Sequence, residues 1–363
     1  MNRTLVIGYG SSGKAAMAAL KRRGDEVSVI DGQDLVVVSP GIHVMSELEF
    51  GVRELRARGV KLLAVTGSKG KSSVVKIVAD AISRTGLEAV PCGNYGLPAS
   101  EVLRRDPLPA WAVVEVSSFQ LETTNLPPDA FEAAAVLNLQ EDHLDRHGSI
   151  AVYHGLKRKL LDMTPRPVTD DVAAAADVRL MSGSYFDNDV LRDNGRMAIA
   201  LMKAAGLSDE TVRQAFAAFV PLPHRMNAVG TFGGVRCIDD SKATSLAALA
   251  AGVTMAGGSV RLVAGGRAKG DDPNSVRKLL TNRVKKVYLI GECAEVFANA
   301  WKSAVDCEVC GTMEKAVQTA MREAEKGDTL LLSPGTASFD QFKSFGERGD
   351  VFAGLVKKEG QYK

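Results

Sequence analysis

Val65-Thr66-Gly67-Ser68-Lys69-Gly70-Lys71-Ser72 is the stretch that decides the fold, because it joins an apolar run at residues 62–65 to a helical pattern that follows it. A glycine-rich turn between a strand and a helix leaves backbone N–H groups pointing outward at a helix N-terminus, where the helix dipole favours anions. In the phosphate-loop pattern G-x-x-x-x-G-K-[ST], the lysine reaches the outer phosphates and the hydroxyl binds magnesium. These positions are Lys71 and Ser72, and Val65 stands where the pattern has its first glycine. The stretch predicts an ATP site rather than a lysine-rich surface turn.

The composition argues against several classes of partner. The chain has 45 basic and 43 acidic side chains, so no excess of charge points to nucleic acid or to an anionic membrane surface. No apolar run approaches the ~18 residues of a membrane span. We expect no signal peptide, because Met1 is followed directly by a strand pattern and a glycine turn. The expectation is a cytoplasmic, monomeric protein that acts on small molecules.

The cysteines also favour a reducing compartment, since there are five of them and they are scattered along the chain. Cys307 and Cys310 have C-x-x-C spacing, but a structural zinc site needs four ligands and no second pair exists. We interpret these two cysteines as part of a short strand.

Strand and helix patterns alternate almost throughout, with little sign of hairpin turns, which predicts an α/β fold with mainly parallel sheets. The patterns before the phosphate loop predict strands at 4–7, 26–30 and 34–38. Pro221-Leu222-Pro223 is stiff and unable to continue a helix, so it predicts a linker. We predict three domains: a short Rossmann-like domain at 1–58, a central P-loop ATPase-like domain with a mainly parallel sheet at 59–221, and a C-terminal Rossmann-like domain at 222–363.

A second glycine motif, Gly8-Tyr9-Gly10-Ser11-Ser12-Gly13, lies between the first strand and the first helix, and Asp31 follows near the end of the next strand. This G-x-G-x-x-G pattern matches the dinucleotide fingerprint and, taken alone, indicates NAD. A complete dinucleotide fold needs more chain than remains before the ATP loop. We therefore expect a nucleotide-diphosphate conjugate, with Asp31 facing a ribose hydroxyl.

Glu115 ends an apolar strand, where α/β proteins bind ligands at the carboxyl edge of the sheet. Together with the Ser72 hydroxyl it could hold magnesium against the ATP phosphates, and we favour this role over a charge at a helix N-terminus. His143 and His147 leave the next strand at i, i+4 spacing. They lack the H-E-x-x-H arrangement of a zinc site, so His143 stays open as a magnesium or substrate ligand.

By composition, Lys157 and Lys159 belong to an ordinary basic helix face. Because they are two positions apart on a helix, we expect their side chains to point in different directions. In the last domain, Asp239-Asp240-Ser241-Lys242-Ala243-Thr244 and Gly265-Gly266-Arg267-Ala268-Lys269 each follow a strand. They place charged groups at a sheet edge without indicating a particular substrate.

Seven segments, taken in order, resemble motifs of the Mur ligases, and most closely those of the branch that adds D-glutamate in peptidoglycan synthesis. They span nearly the whole chain: Thr66-Gly67-Ser68-Lys69-Gly70-Lys71-Ser72, Gly93-Asn94-Tyr95-Gly96-Leu97-Pro98, Glu115-Val116-Ser117-Ser118-Phe119-Gln120-Leu121-Glu122, Glu141-Asp142-His143-Leu144-Asp145-Arg146, Pro223-His224-Arg225, Asp240-Ser241-Lys242-Ala243-Thr244 and Ser333-Pro334-Gly335-Thr336-Ala337-Ser338-Phe339-Asp340-Gln341-Phe342. The third and sixth segments separate this branch from the folate-tailing ligases, which share the ATP loop.

The resemblance implies an ATP- and magnesium-dependent amide ligase that adds D-glutamate to UDP-N-acetylmuramoyl-L-alanine through an acyl phosphate. It implies catalytic roles for Lys71, His143 and Lys157, one magnesium on Ser72 and Glu115, and a second on His143 and a carbamylated Lys157. The implied ATP contacts are Gly67, Ser68, Lys69, Gly70, Lys71, Ser72, Ser73, Asn194, Arg225 and Asp240. The implied substrate contacts are Ser11, Ser12, Asp31, Ser39, Gly41, Asn94, Ser117, Gln120, Lys242, Thr244, Lys269, Ser338 and Phe345.

The sequence departs from the family pattern in three places. The first domain is shortened after Asp31. The central domain is compressed between Pro165 and Val190, and of the family's adenine-binding motif only Asn194 remains. Ser245 replaces the asparagine that usually follows the sixth segment. One alternative is a Mur-type ligase with a different carboxylate substrate or amino acid, and another is a non-catalytic nucleotide-binding descendant. An NAD-dependent oxidoreductase is disfavoured by the ATP loop.

Overall fold

The computed structural model describes residues 3–7, 10–30, 45–268 and 270–362. By its contacts the chain divides into two compact units, Met1–Phe219 and Val220–Lys363. In the described ranges no helix combines the length and the apolar character that crossing a bilayer requires.

The first unit alternates strands and helices along the chain. Its strands are β1 (Arg3–Ile7), β2 (Glu26–Ile30), β3 (Lys61–Thr66), β4 (Ala89–Gly93), β5 (Trp111–Glu115), β6 (Ala133–Val136) and β7 (Pro167–Val168). Its helices are α1 (Ser11–Arg23), α2 (Glu47–Ala57), α3 (Lys71–Ser83), α4 (Ala99–Val102), α5 (Ser118–Thr123), α6 (Leu144–His147), α7 (Ile150–Arg158), α8 (Asp170–Ala174), α9 (Arg192–Ala204) and α10 (Asp209–Ala217), with 3₁₀ turns at Lys159–Met163 and Val178–Met181.

β3 is the central strand of a parallel sheet with the order β4-β5-β3-β6-β7. Its successive side chains alternate between two apolar clusters: Leu63 and Val65 pack on the side of α3, whereas Leu62 and Ala64 pack on the side of α2. A parallel strand covered on both faces is apolar throughout, which explains the continuous run before the phosphate loop. The loops that follow β3, β5 and β6 therefore meet at one edge of the sheet.

Among the described residues before β3, those of α1 and α2 pack onto one face of this sheet. β1 and β2 pair in parallel, and α2 contributes Leu48 and Val52 to the apolar cluster that also contains residues of β3. At Gly51 a Cβ would come within 2.6 Å of the Ala99 Cβ, so glycine permits the close approach of α2 to α4. The strand predicted at 34–38 lies outside the described residues, and the boundary at 58 stays a prediction.

The second unit contains β8 (Asn227–Phe232), β9 (Val235–Asp239), β10 (Ser259–Gly265), β11 (Val284–Ile290), β12 (Asp306–Gly311), β13 (Asp328–Leu332), α11 (Leu246–Ala256), α12 (Arg277–Arg283), α13 (Ala294–Trp301), α14 (Met313–Glu323) and α15 (Phe345–Gly360), with a 3₁₀ turn at Pro273–Val276. The sheet order is β12-β11-β10-β13-β9-β8. Its pairs are parallel except for β8 with β9. The predicted α/β class with mainly parallel sheets is therefore confirmed.

The β8–β9 hairpin corrects the expectation of few hairpin turns. Its two linking residues, Gly233 and Gly234, have φ of 56° and 80°. Two consecutive positive φ values are what the favoured two-residue hairpin turn requires, and glycine adopts them without steric cost. The Gly-Gly pair directly before the pattern of β9 was the available signal. Cys307 and Cys310 both lie in β12, as their interpretation as strand residues predicts.

Candidate active site

The phosphate loop connects the end of β3 to the start of α3. Gly67 and Gly70 have φ of 148° and 85°, backbone conformations that favour glycine. Asn138, which follows β6, holds the loop from the neighbouring strand: its carbonyl accepts the Ser68 N–H at 2.8 Å, and its Oδ1 accepts the Lys69 N–H at 2.8 Å. The loop is therefore fixed before any ligand binds.

Lys71 and Ser72 occupy the first turn of α3, where the helix dipole favours negative charge. The Lys71 ammonium donates to the Gly67 carbonyl at 2.9 Å and to the Ser68 carbonyl at 3.2 Å, so it lies across the loop. Ser73 is buried behind this turn. The arrangement offers backbone N–H groups and one side-chain cation to a phosphate chain.

Asn194, from α9, lies directly against the loop. Its Nδ2 would be 2.2 Å from a Cβ at position 70, and its Oδ1 accepts from Asn138 Nδ2 at 3.1 Å. The structure thus places Asn194 beside the phosphate loop. Asn138, which sequence reasoning did not select, links Asn194 to Lys69 in the same network.

Glu115 lies at the carboxyl end of β5 and is 2% exposed. Its Oε1 accepts a 2.7 Å hydrogen bond from Asn94 Nδ2. Its Oε2 is buried and accepts no hydrogen bond from any described residue. A buried carboxylate oxygen without a donor is costly unless an ion occupies its other side, so its chemistry fits a divalent cation.

Lys157, on α7, is buried beneath the phosphate loop and is 1% exposed. Its Nζ donates to the Gly67 carbonyl at 2.9 Å and lies 4.7 Å from the centre of the Tyr153 ring. Burial first, and then the nearby Lys71 ammonium, lower the pKa of Lys157 to about 7. The interpretation of Lys157 as part of a surface helix face is therefore wrong.

His143 begins the segment that enters α6, and its φ of 55° is in the left-handed region. Its ring is 5.1 Å from the Phe119 ring and 6.2 Å from the Tyr153 ring. Tyr153 also shares a 3.1 Å hydrogen bond with the Ser68 hydroxyl. The Tyr153 side chain therefore lies near His143, Lys157 and the phosphate loop. Tyr153 was not among the residues predicted from the sequence, and the only signal for it was its position four residues before Lys157.

Ser117 and Gln120, two of the predicted substrate contacts, build the N-terminus of α5. Gln120 Oε1 accepts from the Ser117 N–H at 2.9 Å, and the Ser117 hydroxyl accepts from the Gln120 N–H at 3.2 Å. This reciprocal capping box fixes the turn directly after Glu115. Ser11 and Ser12 lie exposed in the first turn of α1. Asp31, Ser39, Gly41 and Lys269 lie outside the described residues.

In the second unit, Asp240 follows β9 and is buried. It accepts from the Met226 N–H at 3.2 Å and from the Ser333 hydroxyl at 2.9 Å. Burial raises the pKa of Asp240 to about 7, against the smaller lowering effects of these hydrogen bonds and of the Arg225 charge. The predicted nucleotide contacts Arg225 and Asp240 therefore interact with each other.

Lys242 and Phe345, two predicted amino-acid contacts, also meet: the Lys242 ammonium lies 4.0 Å from the centre of the Phe345 ring. Thr244 is half-buried in the same segment as Lys242, and Ser338 is buried in the loop after β13. These four residues lie in segments that the buried side chain of Arg348 joins. Arg348 is 0% exposed, and sequence reasoning missed it because an arginine in an amphipathic helix reads as a surface residue.

Arg348 donates to the Ser241 hydroxyl at 3.0 Å, to the Ser241 carbonyl at 2.9 Å and to the Thr336 carbonyl at 3.1 Å. Burial lowers the pKa of Arg348 to about 10. It thereby ties the loop after β9 to the loop after β13. The two loops carry Lys242 and Ser338, respectively.

Two domain descriptions match the chain: "Mur ligase middle domain" over residues 65–175 and "Mur ligase, glutamate ligase domain" over residues 224–335. A UDP-N-acetylmuramoylalanine--D-glutamate ligase of Acidobacterium capsulatum is 31% identical over 98% of this chain and 96% of its own length. The enzyme of that name from Nitratidesulfovibrio vulgaris is 33% identical over 97% of this chain and 84% of its own length.

The fold is similar to that of the MurF ligase of Thermotoga maritima, solved in complex with ADP, with a TM-score of 0.65 and 15% identity over 99% of this chain and 96% of that one. At this identity the likeness speaks for the fold alone. The sequence relatives extend over nearly the full length of the chain, and both domain descriptions occur in it. The chain therefore belongs to the Mur ligase family.

Proposed function

We propose that the chain is an ATP- and magnesium-dependent ligase that joins D-glutamate to UDP-N-acetylmuramoyl-L-alanine. The observation that carries this proposal is the site in the first unit, where Lys157 is buried beneath the phosphate loop and a Glu115 oxygen has no described hydrogen-bond donor. The names of the relatives from Acidobacterium and Nitratidesulfovibrio support the choice of substrates.

The proposed reaction has two steps. First, a carboxylate oxygen of the acyl substrate bonds to the γ-phosphorus of ATP while the bond from that phosphorus to the ADP oxygen breaks. The D-glutamate amine then forms a C–N bond to the acyl carbon, the C–O bond to phosphate breaks, and the amine loses a proton. Phosphoryl transfer depends on positioned positive charge, which the Lys71 ammonium and the N-terminus of α3 supply.

Magnesium fits the first unit through Glu115 and the Ser72 hydroxyl. Magnesium usually takes one or two protein carboxylates and completes its shell with phosphate oxygens and waters. Among the described residues, no group of three or more His, Cys, Asp or Glu side chains is placed to hold a metal. In the proposal, the ATP phosphates supply the other ligands. When bound, the cation would neutralise negative charge on the phosphate oxygens.

Lys157 fits the proposed carbamate. A lysine with its pKa near 7 holds a substantial neutral fraction at physiological pH, and only the neutral amine attacks CO₂. Its lone pair forms the N–C bond, one C=O electron pair moves to oxygen, and a proton leaves. The product is an anion that can serve with His143 as a second magnesium ligand. Burial beneath the Gly67 carbonyl protects the neutral amine from bulk water.

The second unit would bind the incoming amino acid through Lys242, Thr244, Ser338 and Phe345. The Lys242 ammonium against the Phe345 ring offers a partly desolvated cation for a carboxylate. Arg348 holds the two loops that carry Lys242 and Ser338, so these loops are fixed relative to each other before a ligand binds. Lys269, the other predicted cation for this carboxylate, lies outside the described residues.

The proposal is tested by phosphate release from ATP with UDP-N-acetylmuramoyl-L-alanine and a panel of amino acids. We expect release only when both substrates are present, with D-glutamate giving the highest kcat/KM, because a site built around a cation discriminates strongly for a charged side chain. A higher kcat/KM with L-glutamate or a neutral amino acid would overturn the assignment. ATP binding without any turnover would favour the non-catalytic alternative.

A further inference from the structure

The short helix α5 contacts both segments that carry the proposed second-magnesium ligands. It begins at Ser118, directly after the strand that ends at Glu115, and the capping box fixes its direction. Its residues then contact α6, which follows His143, and the 3₁₀ turn that follows Lys157.

The contact with α6 is made through His147, whose side chain is 0% exposed. Its Nε2 shares a 3.0 Å hydrogen bond with the Ser118 hydroxyl, and its Nδ1 lies 2.9 Å from Glu122 Oε1, within ion-pair distance but without the geometry of a hydrogen bond. The His147 N–H donates to the His143 carbonyl at 3.0 Å. The imidazole thus connects both turns of α5 to the backbone that presents His143.

The contact with the segment after Lys157 is made through Lys159. Its ammonium donates to the Leu121 carbonyl at 3.3 Å and to the Thr124 carbonyl at 2.7 Å, at the C-terminal end of α5. Carbonyls at a helix C-terminus lack partners within the helix, and a cation there is favoured by the dipole. Lys159 therefore anchors the end of α7, two residues beyond Lys157.

The anchored segments converge on one ring. Tyr153 lies 6.2 Å from the His143 ring, 5.4 Å from the His147 ring and 4.7 Å from Lys157 Nζ. A shift of α6 or of α7 relative to α5 would therefore change the separation between His143 and Lys157.

We propose that α5 is a positioning clamp, in which Ser118 and Glu122 hold His147 while the C-terminal carbonyls hold Lys159, so that His143 and Lys157 face one magnesium at a fixed separation. This inference rests on the proposed function, because it takes His143 and Lys157 as ligands of one ion. It adds His147 and Lys159 as positioning residues.

A serine, a histidine and a carboxylate in contact also occur in hydrolases, where the serine attacks a substrate carbonyl. Ser118 is 2% exposed and the His147 side chain is fully buried, so no substrate can reach the hydroxyl. The geometry therefore favours a positional role over a nucleophilic one.

The clamp is tested in the full-length protein with His147→Phe and Lys159→Met, and with Lys159→Arg and Arg158→Met as controls. Arg158 is exposed beside Lys159, so its replacement removes a charge without removing an anchor. The first readout is Mn²⁺ binding, which is measured by electron paramagnetic resonance in the presence of a non-hydrolysable ATP analogue. We expect about tenfold weaker binding of one of two Mn²⁺ ions in both test variants, as is typical when the support of a metal ligand is lost.

The second readout is amide hydrogen exchange, which needs no metal. Exchange should accelerate at residues 140–148 in His147→Phe and at 150–160 in Lys159→Met, with residues 61–83 unchanged. ATP-analogue affinity should stay within about twofold, and Lys159→Arg should retain both wild-type readouts because it keeps a donor for the two carbonyls.

Faster exchange with unchanged Mn²⁺ binding would make α5 merely structural and overturn the inference alone. Unchanged exchange in both variants would also overturn it. A wild-type protein that binds a single Mn²⁺ would overturn the two-magnesium part of the proposed function and the inference with it.

Discussion

Lys71 gives the most direct test at the scale of single residues. Its ammonium contacts two carbonyls of its own loop, so Lys71→Ala removes little packing but removes the cation that would meet the phosphates. We expect kcat to fall by at least about 10²-fold, with a change in Tm of only a few degrees. Lys76→Ala, on the same helix but paired with Asp80 at the surface, is the control and should keep its activity. A large loss of Tm in Lys71→Ala would indicate a structural lysine.

Lys157→Ala should be nearly inactive and should recover part of its activity with formate, because a small carboxylate can occupy the vacated space. The measurement is phosphate release with and without formate. Arg158→Ala is the appropriate control, since Lys159 carries contacts of its own. Wild-type activity in Lys157→Ala would show that Lys157 has no role in the reaction. Loss of activity without recovery in formate would show that its role is purely structural.

Asp240 predicts a pH dependence of stability. Its pKa is raised to about 7 by burial, against an ordinary value near 3.9, so the folded protein binds more protons than the unfolded chain between these values. Its contribution to the free energy of unfolding therefore decreases as pH rises from about 4 to about 7. We expect the Tm of Asp240→Asn, relative to wild type, to rise between pH 5 and pH 8. Asp171→Asn, at an exposed carboxylate, is the control, and parallel Tm profiles would contradict the expectation.

Residues in motifs were accessible from the sequence, whereas residues that support them were not. Lys71, Ser72 and Glu115 follow from their place between strand and helix or at a strand end. Lys157 could not be derived from composition, because its burial depends on how α7 packs under a loop 90 residues earlier. The role of Arg348 could not be predicted for the same reason, since only the folded chain shows that its N–H donors face backbone carbonyls.

At the scale of elements, the turn into α3 depends on one glycine. Gly70 has a φ of 85°, and a Cβ there would meet Asn194 at 2.2 Å. Gly70→Ala should destabilise the protein by the roughly 1–2 kcal/mol of left-handed strain plus the cost of displacing Asn194, and should weaken ADP binding. Gly86 has nearly the same φ, 86°, with no atom within 4 Å of its Cβ position. Gly86→Ala therefore measures the strain alone.

The comparison is made by chemical denaturation and by ADP titration. The double variant Gly70→Ala with Asn194→Ala should recover the part of the stability lost to the clash, because the shortened side chain leaves room for the methyl group. Equal destabilisation in Gly70→Ala and Gly86→Ala would show that the Asn194 side chain is displaced without loss in the free energy of unfolding.

Most elements were predictable because each strand is a short apolar run and each long helix has a 3.6-residue period. Strands β3, β5 and β13 are examples, since burial on both faces gives each of them an unbroken run of at least three apolar residues. β8 was missed because it is an edge strand with a mixed pattern of half-buried and exposed residues. β7, with two residues, is too short to have a pattern.

At the scale of the whole molecule, the five-stranded sheet of the first unit and the six-stranded sheet of the second each have apolar clusters on both faces. The sheet orders themselves were not predicted, because periodicity indicates strands without indicating their neighbours. The parallel order of the first sheet places the loop after β3 between the strands that supply its partners. Thr66 Oγ1 donates to the Val116 carbonyl, 50 residues later, and Lys69 pairs with Asn138, 69 residues later.

These long sequence separations have a kinetic consequence. Contacts between distant parts of a chain form slowly, because loop closure must precede them. After dilution from urea, helical circular dichroism should therefore recover before fluorescent ADP binds, and the lag should be visible by stopped flow. Simultaneous recovery of both signals would show that the loop acquires its shape locally. With the expected lag, nucleotide affinity reports completed folding, so a partly folded nascent chain leaves cellular ATP untouched.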